Sequence, residues 1–400
     1  MARRERPRVD RAETMTPEPD WLTDALRSLE TDDLVRPHRE VELLPSGRCR
    51  ADGEVLLDFS SNDYLGLARD LRQEGIAAGA GASPLVSGRS PDYCRLEKRL
   101  AAFENTDAAL LFPTGFAANT GTVAALVGPG DAIFSHADNH ASLIDGCRLS
   151  GARIHVFTSH RLDQLASKLG EASGAPRRLI VTDGVFSMDG VLAPLESLCD
   201  LAEKFNSMIL VDEAHGTGVH GANGRGSCEL AGVEDRVTLR VGTLSKAVGS
   251  TGGFVVGDSR FIEYLWHKAR TQVFSTALSP ASCAAALDGL EVIANEPQRR
   301  EHLERLAGRL RDHLRRINLP TPSTTGAILP VILGDSRQAI AAANGLRDRG
   351  FFVPAIRPPT VREGTARLRI SLSAAHSTDD IDQLADALDF VVGTEAQKRD

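Results

Sequence analysis

"TLRVGTLSKAVGSTGGFVVG" (residues 238–257) sets two short apolar runs of β type around a lysine, Lys246, that sits among small residues. Similar runs recur upstream: "VLLDFSS", "AALLFP", "AIFSH", "RIHVFT", "RLIVTDGVF" and "SMILVDEA". Several are continuously apolar, as strands covered on both faces are. Helical patterns lie between them. In "LESLCDLAEKFN", Leu195, Leu198, Leu201, Ala202 and Phe205 recur at the spacing of one helix face. Alternating β and α patterns predict an α/β fold with a mostly parallel sheet.

The texture changes after about residue 290. "EPQRREHLERLAGRLRDHLRRIN" reads as a long, charged, amphipathic helix. It is followed by "AILPVIL", a helix at "SRQAIAAANGLRDRG", the strands "FFVPAI" and "ARLRISLS", and a last helix, "STDDIDQLADALDFVVG". The expected organisation is a disordered extension at 1–20, an N-terminal segment at 21–55, a large domain at 56–290 and a smaller C-terminal α+β domain at 291–395. A chain of 400 residues is long enough for one large core and a lesser one.

The net charge of −8 argues against a nucleic-acid or anionic-membrane surface. No apolar run approaches the ~18–20 residues that span a bilayer. The first residues carry basic groups without an apolar core behind them, so no secretory signal is read. The cytoplasm is the expected compartment. Cys49, Cys94, Cys147, Cys199, Cys228 and Cys283 are scattered, with no Cys-x-x-Cys pair, and read as free thiols rather than metal ligands.

Ligands of open parallel sheets bind beyond the carboxyl ends of the strands. The polar residues that follow the strand candidates are therefore the chemistry-bearing ones. Lys246, desolvated in a cleft, would lose basicity and become able to form a Schiff base with a carbonyl cofactor. Asp212 ends the apolar run "MILVD" and needs a cationic or donor partner. A protonated pyridine nitrogen suits it, although a helix cap or a magnesium ligand is also open. Thr243 and Ser245 offer hydroxyls to a phosphate. Gly115 and Phe116 open a helix whose free N–H groups would bind the same phosphate, unless the glycine only makes a turn. His140 either stacks on a flat cofactor or caps the helix that follows it.

Two motifs mislead. "GTGVHG" (216–221) has dinucleotide-binding spacing but lacks the strand–turn–helix context. "DEAH" (212–215) imitates a helicase motif, yet the chain contains no Gly-Lys dipeptide and hence no phosphate loop of that kind.

"SSNDYLGL" (60–67), "LVSG" (85–88), "TGFAANTG" (114–121), "TDGVFSMDG" (182–190), "VDEAHGTGVHGANGRGSC" (211–228), "GTLSKAVGSTGG" (242–253) and "FSTALSP" (274–280) together resemble the α-oxoamine synthases. The resemblance runs in order over roughly residues 40–390. It implies a fold-type-I enzyme dependent on pyridoxal 5′-phosphate (PLP), which condenses a small amino acid with an acyl thioester and releases carbon dioxide. "AIRPPTVREGTARLRISLSAAH" (355–376) is most similar to the biotin-pathway branch, which takes L-alanine and a pimeloyl thioester on coenzyme A or acyl carrier protein. The alternatives within the family use glycine with an acetyl thioester, or a long-chain acyl group.

The resemblance also implies roles. Lys246 carries the cofactor and then removes the Cα proton. Asp212 pairs with the pyridine nitrogen, and His140 stacks on the ring. His215 and Ser187 lie by the phenolic oxygen. Gly115, Phe116 and Thr243 belong to the cofactor cradle. Thr276 reaches the phosphate of a neighbouring subunit, which implies a homodimer with shared sites. Arg369 clamps the amino acid carboxylate, a bidentate task suited to arginine. Arg367 shares its strand parity, and only the resemblance separates the two. Thr360 and Arg36 would meet substrate. Arg36 stands next to Val35, where family members often carry an arginine.

Overall fold

The computed structural model describes residues 20–32, 34–71, 75–319 and 325–397. The extension expected at 1–20 falls outside these residues, except that Asp20 opens helix α1 (Asp20–Thr31). Strands β1 (Val41–Leu44), β2 (Arg48–Ala51) and β3 (Glu54–Asp58) then form an antiparallel meander. β3 holds the "VLLD" run that the sequence suggested for the large sheet. It pairs elsewhere: its second neighbour is Phe351–Phe352, from the C-terminal part of the chain, in parallel register. An apolar run looks alike whichever sheet receives it, so the sequence pattern carries no partner information.

Helix α2 (Pro91–Phe103) starts where the Ser90 hydroxyl accepts from Tyr93 N and a proline fills the first helical position, where a missing N–H costs nothing. The chain then runs through β4 (Ala108–Phe112), α3 (Gly115–Leu126), β5 (Ala132–His136), α4 (Ala141–Ser150), β6 (Arg153–Phe157), β7 (Arg178–Asp183), β8 (Met208–Asp212), β9 (Leu239–Thr243) and β10 (Gly253–Gly257). These seven strands, from β4 on, form one sheet in the order β4-β10-β9-β8-β7-β5-β6. β10 is antiparallel to both of its neighbours, and every other pairing is parallel. β4, β5, β7, β8 and β9 therefore end on one edge of the sheet, so the residues that follow them converge there.

The middle of the sheet is closely built. Every residue of β5 and β9 is buried. Phe254 of β10 lies opposite Gly242 of β9, and a Cβ on that glycine would come 2.2 Å from the phenyl ring. Glycine at 242 thus lets the ring lie against β9 just before the strand delivers Lys246.

The C-terminal part has a three-stranded antiparallel sheet of Ile328–Gly334, Ala366–Ser371 and Ala355–Ile356, with Ala366–Ser371 central. One buried apolar cluster includes Leu57, Leu65, Leu100, Leu244 and Leu290 together with Leu303, Leu329, Leu368 and Leu384. Burying each such side chain is worth roughly 1.5–3 kcal/mol. A core shared in this way fixes where the strand Ala366–Ser371 sits against the large sheet, and that placement brings Arg369 to the site.

Candidate active site

The strand ends enclose a cleft of about 190 Å³. Lys246 follows β9 by a tight loop, is half-buried and lines the cleft. Burial pushes its amine down to about 8, with the Asp212 carboxylate opposing the shift. Its Nζ lies 2.7 Å from His215 Nε2, and His215 Nδ1 lies 2.6 Å from the Tyr64 hydroxyl. Tyr64 donates in turn to Asn62 Oδ1 at 3.0 Å. That network assigns the histidine proton to Nδ1 and leaves Nε2 as the acceptor for Lys246. Burial holds the His215 imidazole well below its ordinary value and raises the Tyr64 phenol, so both stay neutral.

Asp212, at the end of β8, is 5% exposed. Asn119 Nδ2 donates to its Oδ2 at 2.6 Å and Ala214 N to its Oδ1 at 2.8 Å. Among the described residues it has no ion pair. Asp183 is its register partner on β7, so the two carboxyl groups leave the sheet on the same face. Two anions so placed repel. Burial, and then the neighbouring Asp212, push Asp183 well above the usual carboxylate range. Asp183 Oδ1 accepts from the backbone N–H of His140 at 3.1 Å, a contact open to the neutral carboxyl as well.

Of the two jobs open to His140 in sequence terms, the structure shows the helix cap. Its Nδ1 accepts from Ser142 N at 3.3 Å and lies 2.7 Å from Ser142 Oγ, capping α4. Its ring also lines the cleft. Across the cleft, Thr114 caps α3 through Ala117 N. A Cβ at Gly115 would come 3.1 Å from Thr243 Cβ, so the first turn of α3 approaches β9 more closely than larger residues allow. Thr243 Oγ1 and Ser245 Oγ stand 2.8 Å apart beside that turn.

These groups fit PLP. A half-buried, weakly basic amine meets the aldehyde carbon's requirement. A buried carboxylate without a cation meets that of the pyridinium, and a helix N-terminus with two hydroxyls meets that of the phosphate. Among the described residues no His, Cys, Asp and Glu cluster is suited to a metal ion.

Other expected residues lie further out. Ser187 is beyond the end of β7 and outside the cleft lining; its backbone carbonyl accepts from Arg369 Nε at 2.6 Å. Thr276 is exposed and does not line this chain's own cleft. Arg36 is exposed and lines neither this cleft nor the larger one beside it. Thr360 lines the larger cleft.

The two arginines of Ala366–Ser371 separate clearly. Arg367 is paired with Asp189 and also donates to Met188 O and Thr365 O. Arg369 is equally buried, at 5% exposed, and its partners are all neutral. They are Ser187 O, Ser371 Oγ at 2.7 Å, Asn62 Oδ1 at 3.1 Å and the Tyr64 hydroxyl at 3.5 Å. A buried guanidinium without a carboxylate, connected through Tyr64 and His215 to Lys246, is placed for an anion carried by the substrate.

Asn119, Asp183 and Tyr64 are the residues that sequence reasoning passed over. Each lies inside a quoted motif. Asn119 stands one helical turn after Gly115, which is a signal that it faces the same cleft.

Fold and cleft together define a PLP-dependent enzyme, and the chain belongs to the family "Aminotransferase class I and II", which matches residues 54–388. Its cofactor is PLP. Within that class it is a member of the 8-amino-7-oxononanoate synthase family. The protein of that name from Anaeromyxobacter dehalogenans is 46% identical over 93% of this chain and 96% of its own length. The solved 8-amino-7-oxononanoate synthase of Francisella tularensis superposes with a TM-score of 0.72 at 28% identity, covering 85% of this chain and 99% of that one. A serine palmitoyltransferase variant from S. paucimobilis, solved with a bound PLP–myriocin aldimine, superposes with a TM-score of 0.87 at 31% identity, covering 93% of this chain and 96% of that one.

Proposed function

We propose that the enzyme condenses L-alanine with a pimeloyl thioester, carried on coenzyme A or acyl carrier protein, to give 8-amino-7-oxononanoate, carbon dioxide and the free thiol for biotin biosynthesis. The observation that carries the reading is the linkage of Lys246 to Arg369 through His215 and Tyr64. An amine-binding centre and an unpaired guanidinium in one network call for an α-amino acid. The kinship with 8-amino-7-oxononanoate synthases supports alanine and the pimeloyl group as the particular pair.

Bound PLP supplies an electron sink for charge that develops at the amino acid Cα. The protein does the rest. Arg369 holds the substrate carboxylate. Lys246 Nζ takes the Cα proton and later returns one, and its lowered basicity suits that exchange near neutral pH. Neutral His215 accepts from Lys246 and keeps Nζ aimed. Asp212 would hold the proton on the ring nitrogen, and Asn119 keeps Asp212 in place. His140 would lie against the ring, with Asp183 holding its backbone N–H. Gly115, Phe116, Thr243 and Ser245 would bind the phosphate. Ser187 acts through its carbonyl on Arg369. The division of labour follows the chain, with 56–290 carrying the cofactor and 291–395 the carboxylate clamp.

The same proposal includes a cytoplasmic homodimer. No described helix is long and apolar enough to cross a membrane. Large apolar side chains nevertheless stand in the open: Trp21 and Leu26 on α1, Val86, Phe274, and Phe116 at the cleft mouth. A second copy covering them would bring its Thr276 to this chain's phosphate site. Sedimentation at twice the chain mass is expected, and a monomer at micromolar concentration would refute the shared site. The activity is tested by offering alanine, glycine and serine against pimeloyl, acetyl and palmitoyl thioesters. Alanine with pimeloyl should dominate, whereas turnover confined to glycine and acetyl-CoA would overturn the reading.

A further inference from the structure

Beside the Lys246 cleft lies a larger one of about 630 Å³. Asp138, Asn139 and His140 form the partition: the first two line the larger cleft and His140 lines the smaller. The lining of the larger cleft includes the apolar Ile144, Phe186, Met188, Val191 and Val361. It also carries two ion pairs between the large sheet's loops and the C-terminal part, Asp138 with Arg362 and Asp189 with Arg367.

The two pairs differ in what they can release. Arg367 is 6% exposed and holds two backbone carbonyls besides its carboxylate. Arg362 is 72% exposed and, among the described residues, has a single side-chain partner, Asp138 Oδ1 at 2.6 Å. Its loop is braced independently, because Thr365 donates through both N and Oγ1 to the Arg362 carbonyl. The guanidinium can therefore change partner without unfolding the loop. His136, on the floor of this cleft, is pushed down to about 4 by burial, so it brings no positive charge near neutral pH.

A pimeloyl group is apolar along its chain and anionic at its far end. From a reacting carbonyl over His140, its seven carbons reach about as far as two extended residues, ~7 Å, and Asp138 stands two residues before His140 in the chain. The far carboxylate then arrives at Asp138, which repels it, and at Arg362, which can bind it. We propose that Arg362 reads the distal carboxylate of the acyl substrate, taking it in exchange for Asp138, and so selects a dicarboxylic acyl group over a plain fatty one. The inference rests on the reading of this enzyme as one that uses a pimeloyl thioester.

The test compares pimeloyl-CoA with heptanoyl-CoA, a chain of equal length without the carboxylate, in wild-type enzyme, Arg362→Ala and Asp138→Asn. In Arg362→Ala the ratio of KM for pimeloyl-CoA to KM for heptanoyl-CoA should rise about tenfold, the scale of one charge-assisted contact. Calorimetric titration of the holoenzyme with pimeloyl-CoA, without amino acid, should show a loss of affinity of the same size. Asp138→Asn should move the ratio the other way. Unchanged PLP absorbance and melting temperature verify that the variants are folded. If wild type uses pimeloyl-CoA and the ratio is unmoved in Arg362→Ala, the role of Arg362 is wrong and the parent reading stands. If wild type ignores the pimeloyl group on coenzyme A and on acyl carrier protein alike, both fall together.

Discussion

Replacing Arg369 with alanine removes a guanidinium that is 5% exposed and has no carboxylate partner among the described residues. Its neighbours, Ser187 O, Ser371 Oγ, Asn62 Oδ1 and the Tyr64 hydroxyl, hold it in position without neutralising it. The charge is balanced only when the amino acid carboxylate arrives. Truncating one partner of a buried, hydrogen-bonded charge pair costs about 2–5 kcal/mol. Part of that cost is avoided here because a small substrate admits water to the vacated space, so about 3–4 kcal/mol is expected, or a loss of roughly 10²–10³ in kcat/KM for alanine. The assay is initial rate against alanine at saturating pimeloyl thioester, with PLP absorbance to verify an intact cofactor site. Lysine at 369 should recover only part of the loss, since a point charge replaces a planar fork. Alanine at 367 should instead lower thermal stability, by stranding Asp189, and leave the alanine KM nearly unmoved. A change of less than about threefold in Arg369→Ala, or a larger effect at 367, would refute the assignment of the clamp.

Four further outcomes follow from the same geometry. The Lys246 amine is lowered to about 8, so its reactive neutral form grows with rising pH; PLP capture by the apoprotein should quicken about tenfold per pH unit below that value and level off above it. A rate still climbing steeply at pH 10 would show an ordinary lysine. Asp212→Asn should cut kcat at least ~10²-fold by removing the carboxylate opposite the ring nitrogen, whereas Asp183→Asn, which replaces a carboxyl that burial and Asp212 already push toward its neutral form, should bind PLP nearly as wild type does. Equal losses would mean that both carboxyls are ionised. Glu213 is 1% exposed and accepts from Ser227 N, Ser227 Oγ and Cys228 N at 2.7–2.8 Å. Glu213→Ala should therefore cost about 3 kcal/mol of stability, at roughly 1 kcal/mol for each stranded donor, read as a lower denaturation midpoint.

Much of this architecture is legible in the chain because buried strands are apolar along their whole length and end abruptly in polar residues. "MILVD" and "LRVGT" state both where a strand runs and where the cleft begins. Pairing is less legible. β3 joins Phe351–Phe352 across nearly the whole chain, and nothing in "VLLD" distinguishes that edge from one in the large sheet. Lys246, Asp212, His140 and His215 could be found because each follows a strand. Tyr64 and Asn119 could not be ranked in that way, since one lies in a loop and the other inside a helix, and their roles come from what tertiary folding sets beside them. Arg367 and Arg369 have identical strand parity, and only the position of Asp189 separates them. Ser187 shows the converse: a hydroxyl in a suitable motif, whose carbonyl makes the contact to Arg369.

The most direct test of the account follows the carboxyl carbon of alanine. With L-[1-¹³C]alanine and a pimeloyl thioester, the account predicts labelled carbon dioxide released in step with free thiol, and an unlabelled amino ketone product, with all three abolished in Lys246→Ala. Label retained in the product, or thiol released without carbon dioxide, would contradict it.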